Sequence, residues 1–210
     1  LAGAPVLQVR YCATGPAVDT NFNVVTVDTG SRAPEATPRL TTTTSSCGWC
    51  GTDQIDAVTE RLTPLGDRVA IDPGVMMEVP DRAGPHQALF GATGGVHAAA
   101  AFDPAGEIVL VREDIGRHNA VDKVVGRLAL DGALPAANLG LFVSGRTSFE
   151  IVQKAWAAGF GTIVAVSAPS SLAIEAAQRA GIVLAGFARP GRLNVYTEPA
   201  LESVPKPAPR

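Results

Sequence analysis

Cys47 and Cys50 flank Gly48 and Trp49 in the stretch SSCGWCGTD. A C-x-x-C pair serves three chemistries: half of a zinc site, a redox dithiol, or a thiol that carries sulfur. A structural zinc site asks for four ligands, usually two such pairs or a Cys/His set at fixed spacing. The chain has one other cysteine, Cys12, and its three histidines, His86, His97 and His118, show no paired ligand spacing. A zinc deaminase asks for His-x-Glu with Pro-Cys-x-x-Cys; here two alanines follow His97 and Ser46 precedes Cys47. No metal is expected. A thioredoxin-like pair sits directly on a strand-to-helix joint, whereas this one follows a polar segment, residues 29–46, rich in Thr, Ser, Pro and Ala. The better fit is a dithiol on a mobile arm that accepts sulfur from a partner and passes it inward. The thiolate is the reactive form, and a helix following Cys50 lowers a cysteine pKa.

A second chemistry is anion binding. LFVSGRTSFEIVQKA and TIVAVSAPSSLAIEAA each read as a buried strand, a hydroxyl-rich joint and a helix. Such joints present backbone N–H groups at the C-terminal edge of a sheet, where open α/β sheets bind ligands. Ser144, Thr147, Ser148, Ser167 and Ser170 supply hydroxyls, and Arg146 supplies a fork that grips phosphate. Thr147 and Glu150 have capping-box spacing. VREDIGRHNAVDK, 111–123, gathers Glu113, Asp114, Arg117 and His118, with Asp114 as the expected N-cap. In GATGGVHAAA, 91–100, Gly94 and Gly95 allow close backbone approach, and His97 can meet a phosphate, a base or a thiolate. Ordinary caps, a solvated charged face and a satisfied core histidine are the competing readings.

The chain has 210 residues, 46% of them apolar, with 17 basic and 20 acidic side chains for a net charge of −3. That balance gives no global positive field of the kind nucleic acid selects. No apolar run approaches the roughly 18 residues that span a bilayer, and no signal peptide is visible. Three cysteines cannot make a disulfide scaffold, so a reducing, cytoplasmic setting is expected. The first residue is Leu, and an upstream portion is expected to be missing.

The elements that must position these residues follow from pattern. VLQVRY (6–11) and FNVVTVD (22–28) predict strands. The spacing allows a short helix over 52–65 and a mostly helical stretch over 74–91. DPAG (103–106) predicts a hairpin turn between strands 97–102 and 107–112. Alternation then predicts helices over 116–130, 148–158 and 170–180, and strands over 138–144, 162–167, 182–187 and 192–197. Continuous apolar strands between helices imply a mostly parallel sheet covered on both sides. Three regions result: a β segment with a flexible loop (1–46), an α/β domain (47–197) and a Pro-rich irregular tail (198–210).

SSCGWCG, TGGVHAAA, REDIGRHNAVDKVVG, SGRTSFEIVQKA, VSAPSSLAIEAA and GFARPGRLNVYT occur in that order, and together they resemble the formate dehydrogenase accessory sulfurtransferase family (FdhD). The resemblance implies a cytidine-deaminase-like α/β sandwich without its zinc. It implies that sulfur arrives from a cysteine desulfurase as a cysteine persulfide. The sulfur then passes to the molybdenum or tungsten bis-molybdopterin guanine dinucleotide (bis-MGD) cofactor that formate dehydrogenase needs. Cys47 would be the persulfide carrier and Cys50 its partner. Phe187, Ala188, Arg189, Pro190, Gly191 and Arg192 would contact the cofactor. With such a ligand, Glu113 or Asp114 becomes a candidate reader of guanine, GDP a partial mimic, and a homodimer with two equivalent pockets is expected. A cofactor-binding chaperone without sulfur chemistry is the alternative.

Overall fold

HAAAAF is an unusual strand, four small residues in a row, and it forms the pivot of the main sheet. The computed structural model describes residues 6–11, 24–30, 62–66 and 68–197. The chain divides into two units, Leu1–Thr42 and Thr43–Arg210. In the first, β1 (Gln8–Tyr11) and β2 (Val25–Asp28) pair antiparallel. Strand alternation puts Val9, Tyr11, Val25 and Val27 on one face of this ribbon.

The second unit runs α1 (Pro73–Ala83), a 3-10 turn (Gly84–His86), α2 (Ala88–Thr93), β3 (His97–Phe102), β4 (Ile108–Asp114) and α3 (Arg117–Leu130). It continues through β5 (Gly140–Val143), α4 (Phe149–Ala158), β6 (Thr162–Ala165), α5 (Ser171–Ala180), β7 (Val183–Arg189) and β8 (Arg192–Thr197). The sheet order is β4-β3-β5-β6-β7-β8. β5, β6 and β7 are parallel, because a helix carries the chain back between them. β4, β3 and β8 flank this centre and pair antiparallel.

Period-2 alternation splits the strands between two cores. Ala99, Ala101, Leu141, Val143, Ile163 and Leu184 pack with α3, α4 and α5, through Val121, Val124, Ile151, Ala155 and Ala177. Ala100, Phe102, Phe142, Val164 and Ala185 face the other way, onto Met76, Val79 and Ala83 of α1. The result is an α/β sandwich with a small N-terminal β portion, as expected. Ala100 stands opposite Phe142 in register and shares the second core with Phe102. Gly140 stands opposite Phe102 in register, and a Cβ on it would lie 2.2 Å from the ring.

The predicted hairpin, the three later helices and the strands that alternate with them all form. The 74–91 stretch becomes α1, the 3-10 turn and α2. The last strand before the hairpin tip runs on to Arg189, two residues past the expected end. The proposed 52–65 helix does not reach its C-terminal end, since residues 62–66 are irregular. There Thr63 O accepts a hydrogen bond from Trp156 Nε1 (2.7 Å) and Leu65 N donates to Ala180 O (2.9 Å). Tertiary partners replace helical ones. The rest of that helix, most of the 29–46 loop and the 198–210 tail lie outside the described residues.

Candidate functional site

Parallel strands end together, and the antiparallel β3 begins where they end. His97, first in β3, therefore shares an edge with the last residues of β4 and β5. Ser144 N donates to Ala98 O (2.9 Å), and Ser144 Oγ accepts from Ala98 N (2.8 Å). The same hydroxyl lies 3.5 Å from His97 Nδ1. Gly145 follows because the space is taken: a Cβ would fall 3.2 Å from His97 Cε1 and 3.6 Å from Arg117 Cδ. His97 and Arg117 thus meet over one glycine.

The two hydroxyl-rich joints are knitted into one surface. Thr147 N donates to Ala168 O (3.2 Å), Ser170 N donates to Thr147 O (3.0 Å), and Thr147 bridges Pro169. Ser170 caps α5, its Oγ accepting from Ala173 N (3.2 Å), as the sequence suggests. The capping box at Thr147 does not form. The backbone stays extended through Ser148, so α4 starts one residue later and Ser148 is its N-cap. Thr147 is 1% exposed, and its Oγ1 has no hydrogen-bond partner among the described residues. Ser148 does not cap α4 with its side chain either. Its Oγ lies 2.8 Å from His118 Nε2 instead.

His118 sits in the first turn of α3. Its Nε2 also lies 3.7 Å from Glu150 Oε2. Burial holds its pKa below the usual 6.5, helped by Arg117 and opposed by Glu150. Arg117 Nε is buried without a hydrogen-bond partner among the described residues. Unpaired buried donors at a sheet edge are uncommon and call for an explanation. Arg146 is exposed beside them. The edge therefore offers guanidinium, hydroxyl and helix-terminal N–H donors, a set that suits phosphate.

Glu113 and Asp114 do structural work. Both oxygens of Glu113 accept backbone N–H groups at the start of α2, from Leu89 (2.9 Å) and Phe90 (2.8 Å). Asp114 is not the N-cap of α3: the helix begins at Arg117 with Gly116 as its cap. Its Oδ1 accepts from Gly116 N (2.9 Å) and Asn119 Nδ2 (3.1 Å), and its Oδ2 pairs with Lys123 (2.7 Å). The Lys123 ammonium, then the Gly116 N–H, hold the Asp114 pKa down at about 2. Gly94 ends α2 at φ +64, and Gly95 leads into His97.

The run Phe187–Arg192 forms the end of β7 and its turn into β8. Phe187 has φ +53, a left-handed conformation that a non-glycine residue rarely adopts, and is 39% exposed. Its N donates to Ser167 O (3.3 Å), which ties it to the second joint. A Cβ on the neighbouring Gly186 would lie 2.9 Å from that same carbonyl oxygen. Ala188 points into the α1 core at 3% exposure, so its methyl is not on the surface. Arg189, Pro190, Gly191 and Arg192 are exposed. An open groove of about 440 Å³ lies between this turn and α1, lined by Glu78, Asp81, Arg82 and Pro190. Arg82 is already bound to Glu78 and Glu107, so the groove is a poor phosphate site.

Seven of the residues singled out from the sequence thus converge on one edge, His97, Arg117, His118, Ser144, Thr147, Ser148 and Ser170, with Ser167 and Phe187 beside them. Cys47 and Cys50 lie outside the described residues. Among the described residues, no group of three His, Cys, Asp or Glu is placed to hold a metal, and no helix is long and apolar enough to cross a membrane. The sequence reading did not anticipate Glu150 facing His118, because the capping-box spacing offered a local explanation for it. It also did not anticipate the strain at Phe187, whose signal was the glycine before it.

The FdhD/NarQ family model matches residues 8–201. A sulfur carrier protein FdhD from Streptomyces coelicolor is 50% identical over 197 residues, 90% of this chain and 70% of that protein. The namesake from Mycobacterium tuberculosis is 44% identical over 204 residues, 91% of this chain and 73% of its own length. A solved structure assigned as a formate dehydrogenase accessory protein from Desulfotalea psychrophila superimposes with a TM-score of 0.61 at 31% identity. The match covers 68% of this chain and 60% of that one. With the family pattern extending through β1 to β8 and the edge built from its motifs, the chain belongs to the FdhD/NarQ family.

Proposed function

We propose that this protein is a sulfur carrier for formate dehydrogenase. In this reading a cysteine desulfurase hands sulfur to Cys47, Cys50 assists, and the recipient is bis-MGD held at the β5–β6–β7 edge. Family membership and the naming of relatives up to 50% identical support the sulfur-carrying role. The observation that carries the ligand is the joined pair of strand-to-helix turns, Thr147 against Pro169, flanked by Arg117, Arg146, His118 and Ser148.

The recipient is cargo, and its pyrophosphate arms fit the residues present. Arg117 Nε is a buried donor without a hydrogen-bond partner among the described residues, and α4 begins without a side-chain cap. Phe187 and the Arg189–Arg192 turn add an aromatic face and two guanidinium groups beside the same edge. Sulfur transfer to Cys47 is an exchange in which the Cys47 thiolate attacks the terminal sulfur of the donor's persulfide. The donor leaves as a thiolate, so no external oxidant is needed. A cytoplasmic homodimer with one such edge per chain completes the proposal.

The test is mass spectrometry after incubation with a cysteine desulfurase and cysteine. The Cys47 peptide should gain the mass of one sulfur atom. Its absence alongside an active desulfurase overturns the relay. Full rescue of formate dehydrogenase activity by Cys47→Ala would instead support a chaperone without sulfur chemistry.

A further inference from the structure

His118 Nε2 faces two oxygens at once, Ser148 Oγ at 2.8 Å and Glu150 Oε2 at 3.7 Å. A neutral imidazole carries one proton, on either Nδ1 or Nε2. If Nε2 were bare, its lone pair would point toward carboxylate lone pairs, and only Ser148 could donate to it. If Nε2 carries the proton, it donates to Ser148 Oγ and points its positive edge at the carboxylate. Glu150 is only 8% exposed, so little water screens that preference. Among the described residues, the other charged groups acting on the ring are Arg117, Lys154 and Asp122, and Lys154 and Asp122 form an ion pair with each other.

We infer that Glu150 selects the Nε2–H form of His118, which holds Ser148 as a hydroxyl donor to an oxyanion of phosphate type at the start of α4. The assignment rests on reading this edge as a phosphate-binding surface. His118 fills one lone pair of Ser148 Oγ, so the serine's own proton is left to point elsewhere. The hydroxyl is also free of its own helix, because Ser148 is an N-cap whose side chain caps nothing. The α4 N–H groups and the Ser148 O–H then address one ligand together. Arg117, next to His118 in sequence and against Gly145 in space, supplies the charge. Glu150 and His118 are positioning residues, and Ser148 is the contact. The arrangement is the reverse of a Ser–His nucleophile pair, in which the serine gives its proton to the imidazole.

Two measurements on the full chain test the assignment. Long-range ¹H–¹⁵N NMR reads the tautomer directly. We expect Nε2–H in the wild type at neutral pH and a shift toward Nδ1–H in Glu150→Gln; a wild-type Nδ1–H form overturns the inference. Calorimetry with GDP and with guanosine reads the contact. Ser148→Ala should weaken GDP on the order of tenfold and leave guanosine unchanged, and Ser148→Thr should retain GDP. Equal GDP affinity in wild type and Ser148→Ala overturns the donor role alone. Failure of the wild type to bind GDP overturns the phosphate reading and this assignment with it. Covalent labelling of Ser148 by a fluorophosphonate would show a nucleophile and also overturn it. Should Ser148→Ala fail to fold, Ser148→Thr and the tautomer measurement still decide.

Discussion

Arg189 and Arg192 stand directly opposite each other in register, across the Pro190–Gly191 turn that joins β7 to β8. Paired residues share a face, and like charges facing each other across strands are destabilising by roughly 0.2–1 kcal/mol. A fold keeps such a pair where something offsets the repulsion. Arg192→Thr should therefore raise the urea midpoint slightly while weakening GDP. Calorimetry and urea titration on the same preparation check the two effects. A variant that loses stability and keeps full GDP affinity would contradict the assignment of this turn to phosphate.

Asp114 gives a pH signature. Its carboxyl titrates at about 2 in the fold, against an ordinary 3.8. The folded value is the lower one, so ionised Asp114 favours the fold. That contribution is complete above 3.8 and is lost as pH falls toward 2. Lys123→Met removes the largest cause, and the Asp114 value should climb back toward 3.8. Carbon-detected NMR titration of the carboxyl reads it, and an unmoved midpoint would refute the Lys123 attribution.

His118 gives a signature of the same sign in a higher pH window, for a different reason. Its pKa is lowered in the fold, first by burial and then by Arg117. Below the unfolded value of 6.5 the unfolded chain binds more protons than the folded one. Stability therefore drops as pH falls from 6.5 through the lowered folded value and levels off below it. Urea titrations from about pH 8 to about pH 5 should show that drop in the wild type and a flatter profile in His118→Gln.

Gly186 is a steric requirement. A Cβ there meets Ser167 O at 2.9 Å, Tyr196 Cε2 at 3.1 Å and Pro169 Cδ at 3.2 Å. The nearest neighbour is backbone and cannot swing away. Gly186→Ala should cost about 1–3 kcal/mol by overpacking, read by chemical denaturation. It should also push Phe187 away from the second joint.

The elements were legible where local pattern and tertiary demand agree. The LFV of β5 and the IVA of β6 are apolar throughout because helices cover both faces, and Gly159 and Gly181 stop α4 and α5 in left-handed turns. The edge was legible because Ser144, Thr147 and Ser170 follow buried strands. Local rules failed where a distant partner competes. Ser148 turns to His118, thirty positions away, and not to its own helix. Asp114 holds Gly116 and Lys123, so the cap position passes to a glycine. Thr63 and Leu65 leave the helical pattern for Trp156 and Ala180. Single-sequence spacing carries no trace of any of these partners.

The Trp156–Thr63 hydrogen bond fixes a length. Trp156 lies in the last turn of α4 and Ser148 at its start, so the anchor is about 12 Å of helix away from the edge. Twelve residues lie between Cys50 and Thr63, and the thirteen Cα–Cα steps extend at most about 45 Å. That covalent limit, counted from Thr63, bounds Cys50 in any conformation of the chain between them. Trp156→Phe removes the indole N–H that fixes Thr63 and leaves both cysteines in place.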